Sequence, residues 1–303
     1  MNASTTANSR LDRAALRRFC VLFSGSRPAA FAAMVLVMVV VVAVLAPWIS
    51  PQNPYDLAAL NLDDSRQPPF SRASDGHLIY WLGTDGQGRD VLSALLYGLR
   101  ISVGVGVLAT LVALLLGTSL GLVAGYRRGL WDTLIMRWAD IQLAFPSILL
   151  ALILLAFLRP GIANIIIALV AVQWAYYARA ARGMAVVERN KEYVEAGIGL
   201  GLSTRRVIFA HLLPNCLGPL IVIAALQVAS AITLEATLSF FGLGVPITQP
   251  SLGLLIANGF EYLLSGTYWI SVFPGLALLI TIVAINLVSD RLRDLLNPRR
   301  PIN

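Results

Sequence analysis

Residues 195–214 read EAGIGLGLSTRRVIFAHLLP, with Glu195-Ala196-Gly197, then Gly201, then Leu213-Pro214. The stretch is polar and punctuated by glycine, and it lies between two long apolar runs, about 162–178 and 216–240. A polar step between runs long enough to cross a bilayer belongs at the water side of a polytopic membrane protein. Inside the step, Val194, Ile198 and Leu202 recur at a spacing of four, which predicts one apolar face of an amphipathic helix. Ser203 is placed to cap a second short helix ending near Pro214. Gly197 and Gly201 remove side chains from one stripe, which suits a closely fitting partner. An ordinary amphipathic surface would read the same way.

Composition agrees with a membrane protein. The chain has 303 residues, 57% hydrophobic and 13% charged, with mean hydropathy +0.75. A soluble domain carries charge at about a quarter of its residues. The net charge is +7, and Lys191 is the only lysine. Basic chains of this kind include nucleic-acid binders. Here the arginines flank apolar runs, as positive-inside topology requires, so nucleic acid is excluded as a partner. Cys20 and Cys216 both fall on the side assigned to the cytoplasm, where no structural disulfide is expected. His77 and His211 are too few and too distant for a histidine metal site.

Working outward, residues 1–28 form a basic cytoplasmic segment and 29–49 a first, uncleaved span. Residues 50–98, with six aspartates and clustered Pro and Gly, form a folded periplasmic segment. Residues 99–290 form a five-helix core, with the polar step at about 185–214, and 291–303 form a cytoplasmic tail. The later spans are placed at about 101–125, 134–158, 162–178, 216–240 and 271–288. The fold class is therefore an all-α polytopic membrane protein with six transmembrane helices and both termini cytoplasmic. No internal repeat is apparent.

Several chemistries are excluded or weak. A P-loop needs a glycine-rich loop ending in Lys-Ser/Thr, and Lys191 follows Arg189-Asn190. There is no H-E-x-x-H. Gly117-Thr118-Ser119-Leu120-Gly121 matches the nucleophile-elbow pattern, which keeps an intramembrane protease using Ser119 as an alternative. The repeat of Gly117, Gly121 and Gly125 favours helix packing instead. A secondary transporter would carry inverted repeats or midplane ion ligands, and neither is evident.

Polar residues in the spans are functional candidates by default: Gln173, Gln227, Glu235 and Asn286. Glu235 either lines a path, bonds to another subunit or snorkels to the interface. Asp140 is expected to anchor the third span or to pair with an arginine such as Arg137. Pro146, Pro219 and Pro274 allow bends, static or moving. Gly83, Thr84, Asp85, Arg89 and Asp90 predict a tight outer turn. It serves either docking or the folding of the outer segment, and its Arg89 pairs with Asp85 or Asp90 in a surface contact of small energy.

The polar step resembles the EAA loop of binding-protein-dependent ABC importers, whose pattern is E-A-A-x3-G-x9-I-x-L-P. This chain departs from it at Gly197, where alanine is usual, and at His211, where isoleucine is usual. Four more segments are similar to the C-type permease subunits of the dipeptide/oligopeptide/nickel family. They are Leu82 to Asp85 with Gly88-Arg89-Asp90; Asp140 with Phe145-Pro146; Leu238 to Gly244; and Leu292-Arg293-Asp294 with Asn297-Pro298-Arg299. Ser251-Leu252-Gly253 replaces the usual S-W-G. The resemblance covers nearly the whole chain beyond residue 28. It implies a type I importer permease of the bacterial inner membrane, acting on peptides (or on glutathione, D-amino-acid dipeptides or nickel chelates). It also implies a second homologous permease, two ATP-binding subunits and a periplasmic solute-binding protein as partners. Glu195, Ala196, Gly197, Gly201, His211, Leu213 and Pro214 would then couple the chain to the ATPases. ATP and magnesium would sit on those subunits, so no cofactor and no catalytic residue is assigned to this chain.

Overall fold

A computed structural model describes Phe23 and residues 25–56, 60–246 and 248–296. The basic residues before Phe23, Cys20, and Asn297-Pro298-Arg299 lie outside the described residues. Nine helices are found among those described: α1 Arg27–Ile49, α2 Val91–Arg127, α3 Gly129–Ala144, α4 Ser147–Phe157, α5 Ile162–Glu188, α6 Glu192–Gly199, α7 Thr204–Phe240, α8 Leu252–Phe260 and α9 Trp269–Leu296. A two-residue hairpin, β1 Ser71–Arg72 and β2 Ile79–Tyr80, lies between α1 and α2.

Five of these helices are long and apolar enough to cross a membrane: α1, α2, α5, α7 and α9. The third span differs from its expected single helix. It is the pair α3 and α4, bent by 96°. The cause is Pro146. It has no N–H to donate and drives the preceding residue out of helical backbone; Phe145 sits at φ −91°, ψ 141°. Pro219 and Pro274, by contrast, lie inside unbroken helices.

The packing of α2 on α5 decides how the bent pair counts. A Cβ on Gly117 would lie 2.2 Å from the Trp174 carbonyl, one on Gly121 2.2 Å from that of Ala178, and one on Gly125 2.8 Å from that of Arg182. Three glycines four apart thus sit on three carbonyls four apart, in the same chain order. The two helices therefore run parallel, and the chain between them must return across the layer. The bent pair makes that return, giving six crossings. The arrangement also removes the elbow reading of Ser119, which lies in mid-helix with its flanking glycines pressed against α5.

Helix α2 begins ten residues before the expected start of its span, so the 98/99 boundary falls inside it. Its cap is Asp90, whose carboxylate accepts from the Ser93 N–H at 2.9 Å and satisfies one of the orphan amides of the first turn. Helix α7 also starts early. Ser203 caps it as expected, accepting from the Arg206 N–H at 3.4 Å, but the helix does not stop near Pro214. It passes through a π-helical turn at Val207–Leu212 and continues to Phe240. The wider turn absorbs the hydrogen bond that Pro214 cannot make.

Among the described residues, the two largest of six buried clusters lie at different levels of the bundle. One packs Ile101, Val105 and Leu155 with Ile165, Leu169 and Leu238. The other packs Leu122, Tyr177, Val194, Val207, Leu212 and Leu220 at the arginine-rich end, where α6 lies. Polar ties cross between them. Gln173 on α5 accepts from Thr110 of α2 at 3.3 Å and donates to the Gln227 carbonyl of α7 at 3.0 Å. Arg182 of α5 holds Asp132 of α3 through two hydrogen bonds of 2.8 and 3.0 Å. Asp140 pairs with Arg179 of α5 and not with Arg137, because α3 lies against α5 at that level.

Candidate functional site

Helix α6 is eight residues long and stands at the arginine-rich end between α5 and α7. Glu192 and Glu195 occupy its first turn, where carboxylates complement the exposed amides and the helix dipole. Val194 is wholly buried and plugs into the lower cluster. Glu195, Ala196, Ile198 and Leu200 face outward, Ile198 at 47% and Leu200 at 81% exposure. The expected apolar face is thus only partly correct. Val194 and Leu202 turn inward, whereas Ile198 points out. The Glu195 carboxylate has no hydrogen bond or ion pair among the described residues.

The two glycines play parts different from the expected open stripe. Gly197 is buried, and a Cβ there would meet Leu202 Cδ1 at 3.3 Å. Gly201 has φ +73° with open space around it, so conformation and not close approach selects glycine. Its N–H donates to the Ile198 carbonyl at 2.9 Å, and the Leu202 N–H donates to the Gly197 carbonyl at 3.1 Å. Those are the two bonds of a Schellman cap, completed by the Leu202 contact on Gly197. Gly201 therefore fixes where α6 ends and α7 begins. Valine at Gly201 forces a branched side chain into left-handed backbone, at about 1–3 kcal/mol. Trypsin cleavage at Arg189, Lys191, Arg205 and Arg206 in native membranes is expected to accelerate about fivefold or more, with Gly197→Ala leaving the rate near wild type.

Polar contacts tie α6 to its neighbours. Tyr193 donates to Glu188 Oε2 of α5 at 2.7 Å and accepts from Asn215 Nδ2 of α7 at 3.2 Å. Glu188 Oε1 takes Lys191 at 2.5 Å. Partial burial, with the Glu188 carboxylate beside it, pushes the Tyr193 phenol up to about 12, so it keeps its proton at neutral pH. His211 Nδ1 lies 3.2 Å from the Arg206 carbonyl, within the π-helical turn. Leu213 is partly buried on the lower cluster, and Pro214 is exposed.

The span residues separate into two groups. Asn286 lines a cavity of about 620 Å³ with Ser147 of α4 and Ser230, Thr233 and Thr237 of α7. The lining carries no charge. Positions 230, 233 and 237 share one face of α7. The Thr233 and Thr237 hydroxyls donate to the Ala229 and Thr233 carbonyls, each at 2.8 Å, so their lone pairs remain for the cavity. Gln173, Gln227 and Glu235 do not line it. Gln173 is spent on the interhelical ties above, and Gln227 contributes its carbonyl to one of them. Glu235 is wholly buried. One carboxyl oxygen accepts from Ser239 at 2.7 Å, and Ser102 of α2 and Ser251, the cap of α8, adjoin the carboxyl. Within this chain Glu235 therefore lies buried among α2, α7 and the start of α8 and does not face the cavity. The hydroxyls of α7 that do line the cavity escaped the sequence reading, because Ser and Thr are commonplace in spans; their 230/233/237 spacing is the signal that could have found them.

At the opposite end the turn from Gly83 to Asp90 forms as expected, but its ion pair is not on the surface. Asp85 and Arg89 side chains are 4% and 1% exposed, with Arg89 Nε 2.8 Å from Asp85 Oδ2. Asp85 Oδ1 also accepts from the Gln87 and Arg89 amides at 2.8 and 3.0 Å. Thr84 donates to the Asp64 carbonyl at 2.5 Å and takes the Trp269 indole on its own carbonyl at 3.2 Å. Gly83 and Gly88, at φ +80° and +77°, allow the close approach. The turn is a hub that fastens the 60–90 segment to α9.

A family model described as the binding-protein-dependent transport system inner membrane component matches residues 117–301. One described as the N-terminal TM domain of oligopeptide transport permease C matches residues 14–69. The chain is 41% identical to the dipeptide transport system permease protein DppC of Escherichia coli K12, covering 94% of this chain and 93% of that protein. It is 37% identical to the di/tripeptide transport system permease protein DppC of Pseudomonas aeruginosa, covering 98% and 97%. Its fold is similar to that of a chain in the inward-facing MetNI methionine ABC transporter, with TM-score 0.54 at 19% identity over 67% of this chain and 96% of that one. The residues of 195–214, the six crossings and these matches together place the chain in the family of inner membrane components of binding-protein-dependent transport systems, the non-enzymatic permease subunits of ABC importers.

Proposed function

We propose that this chain supplies half of a translocation path for di- or oligopeptides in a bacterial inner membrane. A second homologous permease supplies the other half. Two ATP-binding subunits dock on α6 from the cytoplasm, and a periplasmic solute-binding protein delivers the cargo to the opposite face. The arginine-rich end is then cytoplasmic, in keeping with the positive-inside bias, and residues 50–90 are periplasmic. Closure of the ATPases around nucleotide favours one arrangement of the spans over the other, which is the differential binding that alternating access requires.

The observation that carries the reading is the uncharged cavity in which the polar groups of Ser147, Ser230, Thr233, Thr237 and Asn286 share the lining with Ile148, Leu226, Ala229, Leu234 and Ile282. Polar groups open to the side of a bundle are unfavourable against lipid and call for a partner helix or an aqueous path. A lining without fixed charge suits cargo whose termini and side chains vary in sign. Sequence similarity to dipeptide permeases supports the peptide class.

Thr233→Trp places an indole in the cavity from an exposed position on α7. Uptake of radiolabelled dipeptide by cells carrying the whole transporter is expected to fall about tenfold or more, with the amount of assembled complex unchanged. Absence of labelled L-dipeptide uptake, together with uptake of labelled glutathione, D,D-dipeptide or a nickel chelate, would instead assign the cargo to that chemistry.

A further inference from the structure

We infer that the phenol of Tyr193 is the joint through which load on the exposed face of α6 reaches α5 and α7 at once. This positioning role rests on the reading of α6 as the ATPase-docking helix. Helix α6 has few ways to transmit force. Its outward face carries Glu192, Glu195, Ala196, Ile198 and Leu200. Its inward face carries Gly197 and Val194, and Val194 is the side chain buried in the bundle. An apolar plug such as Val194 resists compression but slides easily, because dispersion contacts have no preferred direction.

The Tyr193 hydroxyl is directional. It donates at 2.7 Å to Glu188, the last residue of α5, and accepts at 3.2 Å from Asn215 in the first turn of α7 beyond the π-helical turn. Both partners are themselves held. Glu188 is clamped by Lys191 at 2.5 Å. Asn215 uses its amide on the His211 carbonyl at 2.7 Å, within the π-helical turn. One oxygen therefore links three helices by directional hydrogen bonds of 2.7 and 3.2 Å, and each partner makes a second bond of its own. Tyr193 sits two residues before Glu195, so load on that face has a short path to the phenol. A tyrosine needed only for packing would leave its hydroxyl in water, and at 36% exposure this one had that option.

Tyr193→Phe removes both links and keeps the ring. The test uses the whole transporter in proteoliposomes, with Ser230→Cys as a reporter on the cavity and Cys20 and Cys216 replaced by alanine. The rate of maleimide labelling at position 230 is read with and without ATP and vanadate, which needs no knowledge of the cargo. A nucleotide-dependent change of about fivefold or more in the reporter background supports the docking reading itself; no change there overturns that reading. In the Tyr193→Phe background, ATP hydrolysis within about twofold of the reporter together with loss of the labelling change supports the joint. An undiminished labelling change overturns it. A parallel drop in hydrolysis and complex yield, with the labelling change per assembled complex preserved, also overturns it, since that is the signature of a packing residue. Glu188→Gln, which keeps an acceptor for the phenol, is expected to retain most of the change.

Discussion

Gly121→Leu is expected to leave no monodisperse protein after solubilisation. A Cβ at this position alone lies 2.2 Å from the Ala178 carbonyl and 2.9 Å from the Ala181 Cβ, where non-bonded heavy atoms prefer about 3.5–4.0 Å. Both obstacles belong to the neighbouring helix, and the nearer one is backbone, so no rotamer change relieves the clash. α2 and α5 must move apart by more than 1 Å along an interface that Gly117 and Gly125 share. Ordinary overpacking costs about 1–3 kcal/mol, and a backbone collision in the most extensive helix contact exceeds that. Gly104→Ala is the control, since a Cβ at Gly104 meets nothing within 4 Å. Size-exclusion profiles of the two variants in detergent decide the matter. A wild-type profile for Gly121→Leu would show that the helices do not approach as described.

Asp85→Asn and Arg89→Met carry the second large effect. Breaking a buried ion pair leaves an uncompensated charge and costs about 3–5 kcal/mol. Here the loss extends further, because the Asp85 carboxylate also holds the Gln87 and Arg89 amides. The outer segment is expected to open while the spans stay folded. In right-side-out membranes, protease added outside should cut near Arg66 and Arg72 in either variant, with wild type resistant. The double change Asp85→Asn with Arg89→Met removes the stranded charge and should recover part of the resistance. A segment equally resistant in all variants would mean that the pair is dispensable.

The apolar runs that become spans were legible in the sequence because they are long, and the helix boundaries were not. Asp90 and Ser203 start their helices in polar sequence, so hydropathy placed α2 and α7 late. Pro146 could be read as a bend, but not as a 96° turn. The polar step at 195–214 was legible as a motif, whereas the reasons for its residues were not. Gly201 needed its backbone angle, and Tyr193 needed the spatial meeting of α5 and α7. Glu235 and Gln173 attracted attention by polarity alone, a signal that cannot separate a cavity lining from a tie between helices. Asp85 and Arg89 looked exposed because the segment around them is hydrophilic, yet Gly83 and Gly88 allow the chain to fold over them.

The unbroken course of α7 gives the chain a long lever. Thirty-seven residues at about 1.5 Å each span roughly 55 Å, from the polar step at Thr204 to Phe240 at the opposite end. A swing of about 10° at the near end sweeps the far end through roughly 10 Å, and Ser230, Thr233 and Thr237 ride on the faster-moving half. A modest nudge below thus becomes a wide gape above.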